Sequence, residues 1–308
     1  MRELIGAYQN GNYTVRILSD GTKIRQTDDD KFIPDRPESA DILITKRCDM
    51  NCSYCHEAAT LDGAHGDILN ANFINQMKPY TELAIGGGNV LEHPDFIPFL
   101  ELCKEKKLIP SITLHQEHFM KNIDLLADLR DRKLIYGLGV SLVYPTDEFV
   151  NAVREFPNAV IHVIAGVVSK TSLDKLYDRG LKLLILGYKQ FRKGKTHYKS
   201  SVDTQVRIDC GINWLKENIK DIIRKFDVVS FDNLAIKQLD IKSIMSPEEW
   251  DQFYMGDDGQ FTMYIDTVNK EFAVSSTSKK RYPYTDETME EMFSIIRKEN
   301  GYVVNSQT

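Results

Sequence analysis

The chain has 308 residues, 42% of them apolar and 27% charged, enough for one large domain with small additions. Its 39 basic and 45 acidic residues leave a formal charge of −6, which argues against a globally electrostatic nucleic-acid binder, and no apolar run approaches the roughly eighteen residues that span a membrane. Five cysteines, three of them close together, fit a reducing cytoplasm rather than a secreted disulfide scaffold.

Residues 1–27 read as antiparallel strands. Asn10-Gly11 and Asp20-Gly21 are hairpin turn signals, and Tyr13, Val15 and Ile17 alternate with Thr14, Arg16 and Leu18. A polar, proline-punctuated linker, Asp28 to Glu38, follows, so 1–38 forms a small sheet that caps one end of the main domain. From Asp41 the pattern alternates strand and helix. Strands are expected at 41–45, 82–86, 109–114, 135–142, 159–165 and 182–187, with a seventh at 227–235. Phe96, Phe99, Leu100 and Cys103 share one helical face, which makes Cys103 a core residue. Thr171 is placed to cap a helix carrying Leu173, Leu176 and Tyr177, and Ile212, Leu215, Ile219, Ile222 and Phe226 form another apolar stripe. Repeating βα units demand a parallel sheet covered by helices, with ligands beyond the carboxyl ends of its strands.

The tail, 236–308, reads as an α+β extension. Ser246-Pro247-Glu248-Glu249 is a capping box, Asp257-Asp258-Gly259 reads as a hairpin turn rather than a metal site, and strands follow at 261–266 and 272–276. Thr285 is expected to cap a last helix in which Met289, Met292, Phe293 and Ile296 share a face, ending at Gly301.

The chemistry gathers at Cys48, Cys52 and Cys55, spaced C-x3-C-x2-C just after the apolar run Ile42-Leu43-Ile44. Soft thiolates this close select an iron–sulfur cluster, zinc or copper(I). A 4Fe–4S cluster normally takes four cysteines, so three leave one iron open. Three other readings compete. Cys52 to His56 matches a haem-attachment pattern, but the N-terminal residues lack a signal peptide's apolar run and Cys48 would have no role. A zinc site would have to use adjacent Cys55 and His56. An electron-carrying cluster would want a fourth local cysteine, and Cys103 and Cys210 are remote.

This motif, with Tyr54 before the third cysteine and on a loop leaving a first strand, resembles the radical S-adenosylmethionine (SAM) superfamily of the C-x3-C-x2-C type. Gly86-Gly87-Gly88-Asn89, after the second strand, sits where that superfamily has its glycine-rich motif, although members more often read Gly-Gly-Glu-Pro. The likeness covers roughly residues 40 to 235 and points towards uncharacterised, often phage-borne members, so it gives a reaction class and no substrate. It implies a partial (βα)6 barrel over 39–235 and two cofactors, a 4Fe–4S cluster and SAM. Cleavage of SAM after one-electron reduction would give a 5′-deoxyadenosyl radical that abstracts hydrogen from substrate.

By position, the resemblance assigns Cys48, Cys52 and Cys55 to the cluster. The backbone of Gly86, Gly87 and Gly88 would receive the methionine amino end, with Asn89 as a polar contact. Tyr54 would meet the adenine, Ser141 the ribose or carboxylate, and Lys189 the carboxylate. Ser141 reads equally as a turn hydroxyl, and His115 as a local cap rather than a substrate contact. His162 reads as a core or inward-facing residue, and Glu92 and His93 as loop solvation. Cys210 could donate a hydrogen atom, or be a buried inert thiol.

The basic stretch Lys189 to Lys199, with Arg192 and Lys193, is expected either to contact a substrate phosphate or an acidic electron donor such as flavodoxin or ferredoxin, or to be a solvated loop. The sequence therefore reads as a cytoplasmic radical SAM enzyme acting on a peptide or protein. A phosphorylated small molecule or nucleotide is the rival substrate, and a non-catalytic iron–sulfur or zinc partner-binding module the rival class.

Overall fold

A computed structural model describes residues 2–302, so the outermost ends of the 1–38 and 236–308 units lie outside the described residues. The inner strands are parallel and consecutive. β4 (Ser39–Thr45), β5 (Glu82–Gly87), β6 (Ile109–His115), β7 (Gly137–Ser141), β8 (Ala159–Ile164), β9 (Lys182–Leu186) and β10 (Val228–Phe231) follow β1 (Leu4–Asn10), β2 (Tyr13–Leu18) and β3 (Lys23–Gln26) of a separate antiparallel sheet. The sheet does not stop at β4. From the C-terminal segment, β11 (Thr262–Asp266) pairs parallel with β4, and β12 (Glu271–Ala273) and β13 (Tyr282–Pro283) continue antiparallel, giving ten strands in one sheet. Among the described residues no helix is long and apolar enough to cross a membrane.

The two faces of this sheet are built differently. Outward-facing Ile42, Ile44, Leu83, Ile85, Ile112, Leu114, Val140 and Ile161 are buried beneath helices, where β-branched and leucine side chains pack densely. Helix Phe96–Glu105 contributes Phe99, Leu100 and Cys103, and helix Val202–Ile223 contributes Ile208, Leu215, Ile219 and Ile222. The inner face of β5 to β7 carries Ala84, Gly86, Ser111, Thr113, Gly137 and Gly139, which are too small to fill the interior. A closed barrel packs layers of branched side chains there. Here a cavity remains.

Several local expectations shift. The first hairpin turns at Gly11 (φ +58°) and Asn12, while Asn10 ends β1, buried, with its amide donating to Tyr13 Oη and Arg36 O at 3.0 Å. Ser169, not Thr171, caps helix Lys170–Asp174, because its hydroxyl reaches Ser172 N. Thr288, not Thr285, caps Met289–Glu299 in a capping box with Glu291, whereas the box at Ser246 falls where the spacing puts it. Asp257-Asp258-Gly259 joins helix Pro247–Phe253 to β11 and is not a hairpin turn, since the next strand pairs in parallel with β4.

The N-terminal sheet covers the amino ends of the parallel strands, the end away from the cysteines. Tyr13, Val15 and Ile17 pack on Ile109, Phe261, Tyr80 and Tyr136. Beneath them lies Glu38, fully buried. It is held by Lys23 (3.0 Å), by Arg25 through two nitrogens (2.7 and 3.0 Å) and by the Tyr13 hydroxyl (2.6 Å). Burial pushes the Glu38 carboxyl up, but Lys23 and Arg25 outweigh it, and its pKa lies below the ordinary glutamate value. A depressed carboxylate stabilises the fold above its unfolded pKa of about 4.3 and loses that contribution as pH falls through the folded value. Glu38→Gln should therefore cost ~3 kcal/mol at pH 7, since it leaves buried cations undercompensated. The gap to wild type should narrow below about pH 4, and urea melts at pH 7 and pH 3.5 check both statements.

Candidate functional site

The cysteine loop leaves β4 and folds back on itself. Cys48 N–H donates to Thr60 O (2.8 Å), Thr60 N–H to Lys46 O (2.9 Å) and Lys46 N–H to Ala64 O (2.9 Å), while Cys55 N–H closes a turn on Cys52 O (3.2 Å). Its base is fixed by a buried pair, Lys46 to Asp266 of β11, at 2.9 Å. Cys48, Cys52 and Cys55 are half-buried free thiols, and all three line one cavity of about 640 Å³. Burial pushes the Cys48 and Cys52 thiols up, and the thiols' mutual repulsion adds to this. Neutral when unligated, such thiols become thiolates when they bind a soft metal centre.

The three glycines at the carboxyl end of β5 serve two purposes. A Cβ at Gly88 would lie 2.0 Å from Arg47 O, and one at Gly87 (φ +130°) 2.2 Å from Thr45 O, so both allow close approach to the cysteine loop. That approach is hydrogen-bonded: Gly88 N–H donates to Thr45 O and Asn89 N–H to Arg47 O, each at 2.7 Å. At Gly86 an added Cβ would meet nothing within 4 Å, so bare backbone faces the cavity. Asn89 corrects its expected role as a ligand contact. Its side chain accepts from Leu91 N and donates to Glu92 Oε1 (3.1 Å), capping a short helix. His93 is buried rather than solvated, with its Nε2 2.9 Å from Gly66 O, whereas Glu92 stays exposed as expected while accepting from Arg47 Nε (2.8 Å).

Other residues named from the sequence also reach the cavity. Tyr54 lines it, edge-on to His197. His115, Ser141 and His162 stand side by side in register across β6, β7 and β8. His115 caps a helix through Glu117 N (3.2 Å), and the His162 ring fills the space left by Gly139. Enclosure drives His162 down to a pKa of about 4, so it is neutral. Lys189 enters from the end of β9, donating to Ser276 Oγ at 3.1 Å, with His56 Nε2 3.4 Å away. His56 also pairs with Glu57 (3.2 Å), so it is directed to this network and not to a shared zinc.

Cys210 and the basic stretch need correction. Cys210 is exposed on helix Val202–Ile223 and does not line the cavity, which removes both the hydrogen-donor and the buried-thiol expectation. Arg192 and Lys193 turn inward onto the cysteine loop rather than outward to an anion. Arg192 binds Glu57, and Lys193 donates to Asn51 Oδ1 (3.1 Å) and Ala59 O (3.0 Å).

Sequence reasoning missed several lining groups. His118 is buried and pairs with Asp49 at 2.7 Å, which brings Cys48 Sγ, an Asp49 oxygen and a His118 nitrogen within 4.8 Å of one another. It lies just past the end of β6, where a search beyond strand ends could have found it. Asp41 faces the open cavity from β4, and the desolvating walls around it raise its pKa to about 6 against the lowering pull of Lys189. A carboxylate beside Ile42-Leu43-Ile44 was the available signal. Asp232, Asp258, Tyr264 and Ser276 close the opposite wall, and only β11 pairing beside β4 brings the last three there.

The fold and site together define a parallel α/β protein with a soft-donor loop and a glycine cradle at the carboxyl ends of its strands. The donor set fits a 4Fe–4S cluster with one iron free of cysteine, and the bare Gly86 backbone leaves room beside it for SAM. No protein-family model matches the chain. It is 31% identical over 168 residues to the pyruvate formate-lyase-activating enzyme of Clostridium pasteurianum, an alignment covering 46% of this chain and 69% of that protein. Crystal structures of Streptococcus suis SuiB share its fold. The form bound to S-adenosylmethionine matches with a TM-score of 0.56 and 15% identity, over 85% of this chain and 64% of SuiB. The form bound to precursor peptide SuiA matches with a TM-score of 0.54 and 15% identity, over 85% and 65%. The chain thus spans under two thirds of SuiB's length. It belongs to the radical SAM superfamily, and it is an enzyme that uses a 4Fe–4S cluster and SAM.

The glycines separate the two cofactors' requirements. Gly86→Val should leave folding intact and weaken SAM binding about tenfold or more (~1.4 kcal/mol). Gly88→Ala should cost ~1–3 kcal/mol of stability, because its Cβ meets backbone that cannot yield. Equilibrium dialysis with labelled SAM and urea melts distinguish them. Unchanged SAM affinity in Gly86→Val would assign the bare face to some other ligand.

Proposed function

We propose that this enzyme modifies a peptide or protein within a partial (βα)6 barrel formed by β4 to β9 and extended by β10 and β11, with Cys48, Cys52 and Cys55 as the cluster ligands. When bound, the cluster and SAM supply reductive carbon–sulfur cleavage and the 5′-deoxyadenosyl radical that takes hydrogen from substrate. The chain's own residues hold and enclose. Gly86 and Gly87 offer backbone to the methionine end, Tyr54 a ring to the adenine, Ser141 a hydroxyl to the ribose or carboxylate, and Lys189 a cation to the carboxylate. Aliphatic strand ends such as Ile164 and Leu186 line the same cavity and exclude water.

The observation that carries the substrate reading is the charge around the cavity. Asp41, Asp232 and Asp258 line it, whereas Arg192 and Lys193, the cations that favoured a phosphorylated substrate, are engaged by the cysteine loop. Among the described residues Lys189 is the only lysine or arginine that lines it. Such a wall repels phosphates and accepts a neutral or cationic chain. SuiB's structure with a precursor peptide, and an activating enzyme whose name states an enzyme as its target, support the same class. An electron donor such as flavodoxin or ferredoxin is required by the chemistry, and the cytoplasm is the fitting compartment.

Anaerobic reconstitution should give about four irons and four sulfides per chain and release 5′-deoxyadenosine with dithionite. Cys52→Ala should abolish both. A random-sequence peptide pool should raise that release above a pool of nucleoside phosphates. The reverse order would transfer the proposal to the small-molecule class.

A further inference from the structure

The cysteine loop carries two non-glycine residues in the left-handed region, Asn51 (φ 45°) and Ala58 (φ 54°), which flank Cys52 and Cys55. A free loop relaxes out of such conformations. A third, Arg192 (φ 45°, ψ −124°), stands opposite them at the start of helix Lys193–Tyr198. Arg192 and its neighbour Lys193 bond the loop at positions beside or at both of the other two. Arg192 Nη1 donates to Glu57 Oε2 (2.9 Å) and Glu57 O (3.1 Å), beside Ala58. Lys193 Nζ donates to Asn51 Oδ1 and to Ala59 O. Glu57, almost fully buried, also accepts from the Tyr264 hydroxyl at 3.2 Å, so the C-terminal strands hold it from the other side. Tyr188 Oη donates to Gly194 O (2.9 Å) and shapes the gripping loop, and a Cβ at Gly194 would lie 2.2 Å from Lys189 O.

We propose that Arg192 and Lys193 are positioning residues: through Glu57, Asn51 and Ala59 they clamp the loop between Cys52 and Cys55 in the strained shape that presents its thiols to one cluster. Arg192 and Lys193 of the basic stretch then serve the metal loop and not an external anion. This rests on the assignment of the cysteines to the cluster, so the test reads the loop and the metal separately.

Hydrogen exchange on the full-length iron-free chain should show amides 50–60 opening about tenfold faster in Arg192→Ala and in Lys193→Ala, because losing one charge-assisted hydrogen bond shifts a local opening by at least that factor. Amides of β5 to β8 should keep wild-type rates, which separates the effect from global unfolding. In the reconstituted holoenzyme, iron release to a chelator should speed about tenfold in each variant. The electron paramagnetic resonance signal of the reduced cluster should broaden, and Arg192→Lys should restore part of both. Wild-type exchange over 50–60 in both alanine variants would overturn the clamp, whatever the cluster does. Faster exchange with unchanged iron release and spectrum would overturn positioning. A wild-type chain that takes up no iron would refute the ligand assignment, and the exchange measurement would still decide whether the clamp exists.

Discussion

The site depends on how closely two backbones approach. The turn after β5 lies against the cysteine loop through Gly88 N–H to Thr45 O and Asn89 N–H to Arg47 O. Neither bond could form with a side chain at Gly87 or Gly88, since each Cβ would overlap a carbonyl oxygen. The glycine motif therefore acts first on the metal loop, fixing where its first half runs, and at Gly86 it also presents unobstructed backbone to the cavity. A turn of ordinary residues would stand off from the loop, and Cys48 would lose its fixed place beside the bare backbone.

The cavity follows from an unusual inner face. A parallel strand buried on both sides normally reads as a run of large aliphatics. β5 to β7 keep those residues on the helix side and place alanine, serine, threonine and glycine within. The amino ends of the same strands are covered by the N-terminal sheet and by the Glu38, Lys23 and Arg25 group. Stability is thus concentrated at the amino ends of the strands and around the outer face, leaving the carboxyl ends free to carry polar and strained residues.

Much of this was legible in the sequence because the signals were local. The seven parallel strands lie within a few residues of their expected bounds, since each βα unit announces itself by an apolar run and a helical stripe. The cysteines were found by their spacing, and the glycines by their place after the second strand in the family resemblance. What failed needed contacts between distant segments. Arg192 and Lys193 read as an exposed basic loop because their acceptors, Glu57, Asn51 and Ala59, lie more than a hundred residues earlier. Asn89 read as a ligand contact because its capping role depends on the turn that follows. His118 and Asp49, 69 residues apart, become partners only when β6 pairs beside β5 and β5 beside β4.

The C-terminal segment shows the same limit most clearly. As a sequence it looks like an appendage, a capped helix, two short strands and another helix, none bearing a cysteine. In the fold, β11 lies against β4, the strand that delivers the cysteine loop, and Asp266 anchors Lys46 at the loop's root. Tyr264, in register with Asp41, reaches Glu57, and Ser276 receives Lys189. Removing this segment would not merely shorten the chain. It would expose the edge of β4, leave Glu57 with one grip fewer and open the wall opposite the thiols. A core ending after β10 would therefore have every cysteine and glycine of the motif and lack the surface that holds them in place. The family's chemistry is written in residues 48 to 88, and the geometry that sustains it is supplied by residues 188 to 283.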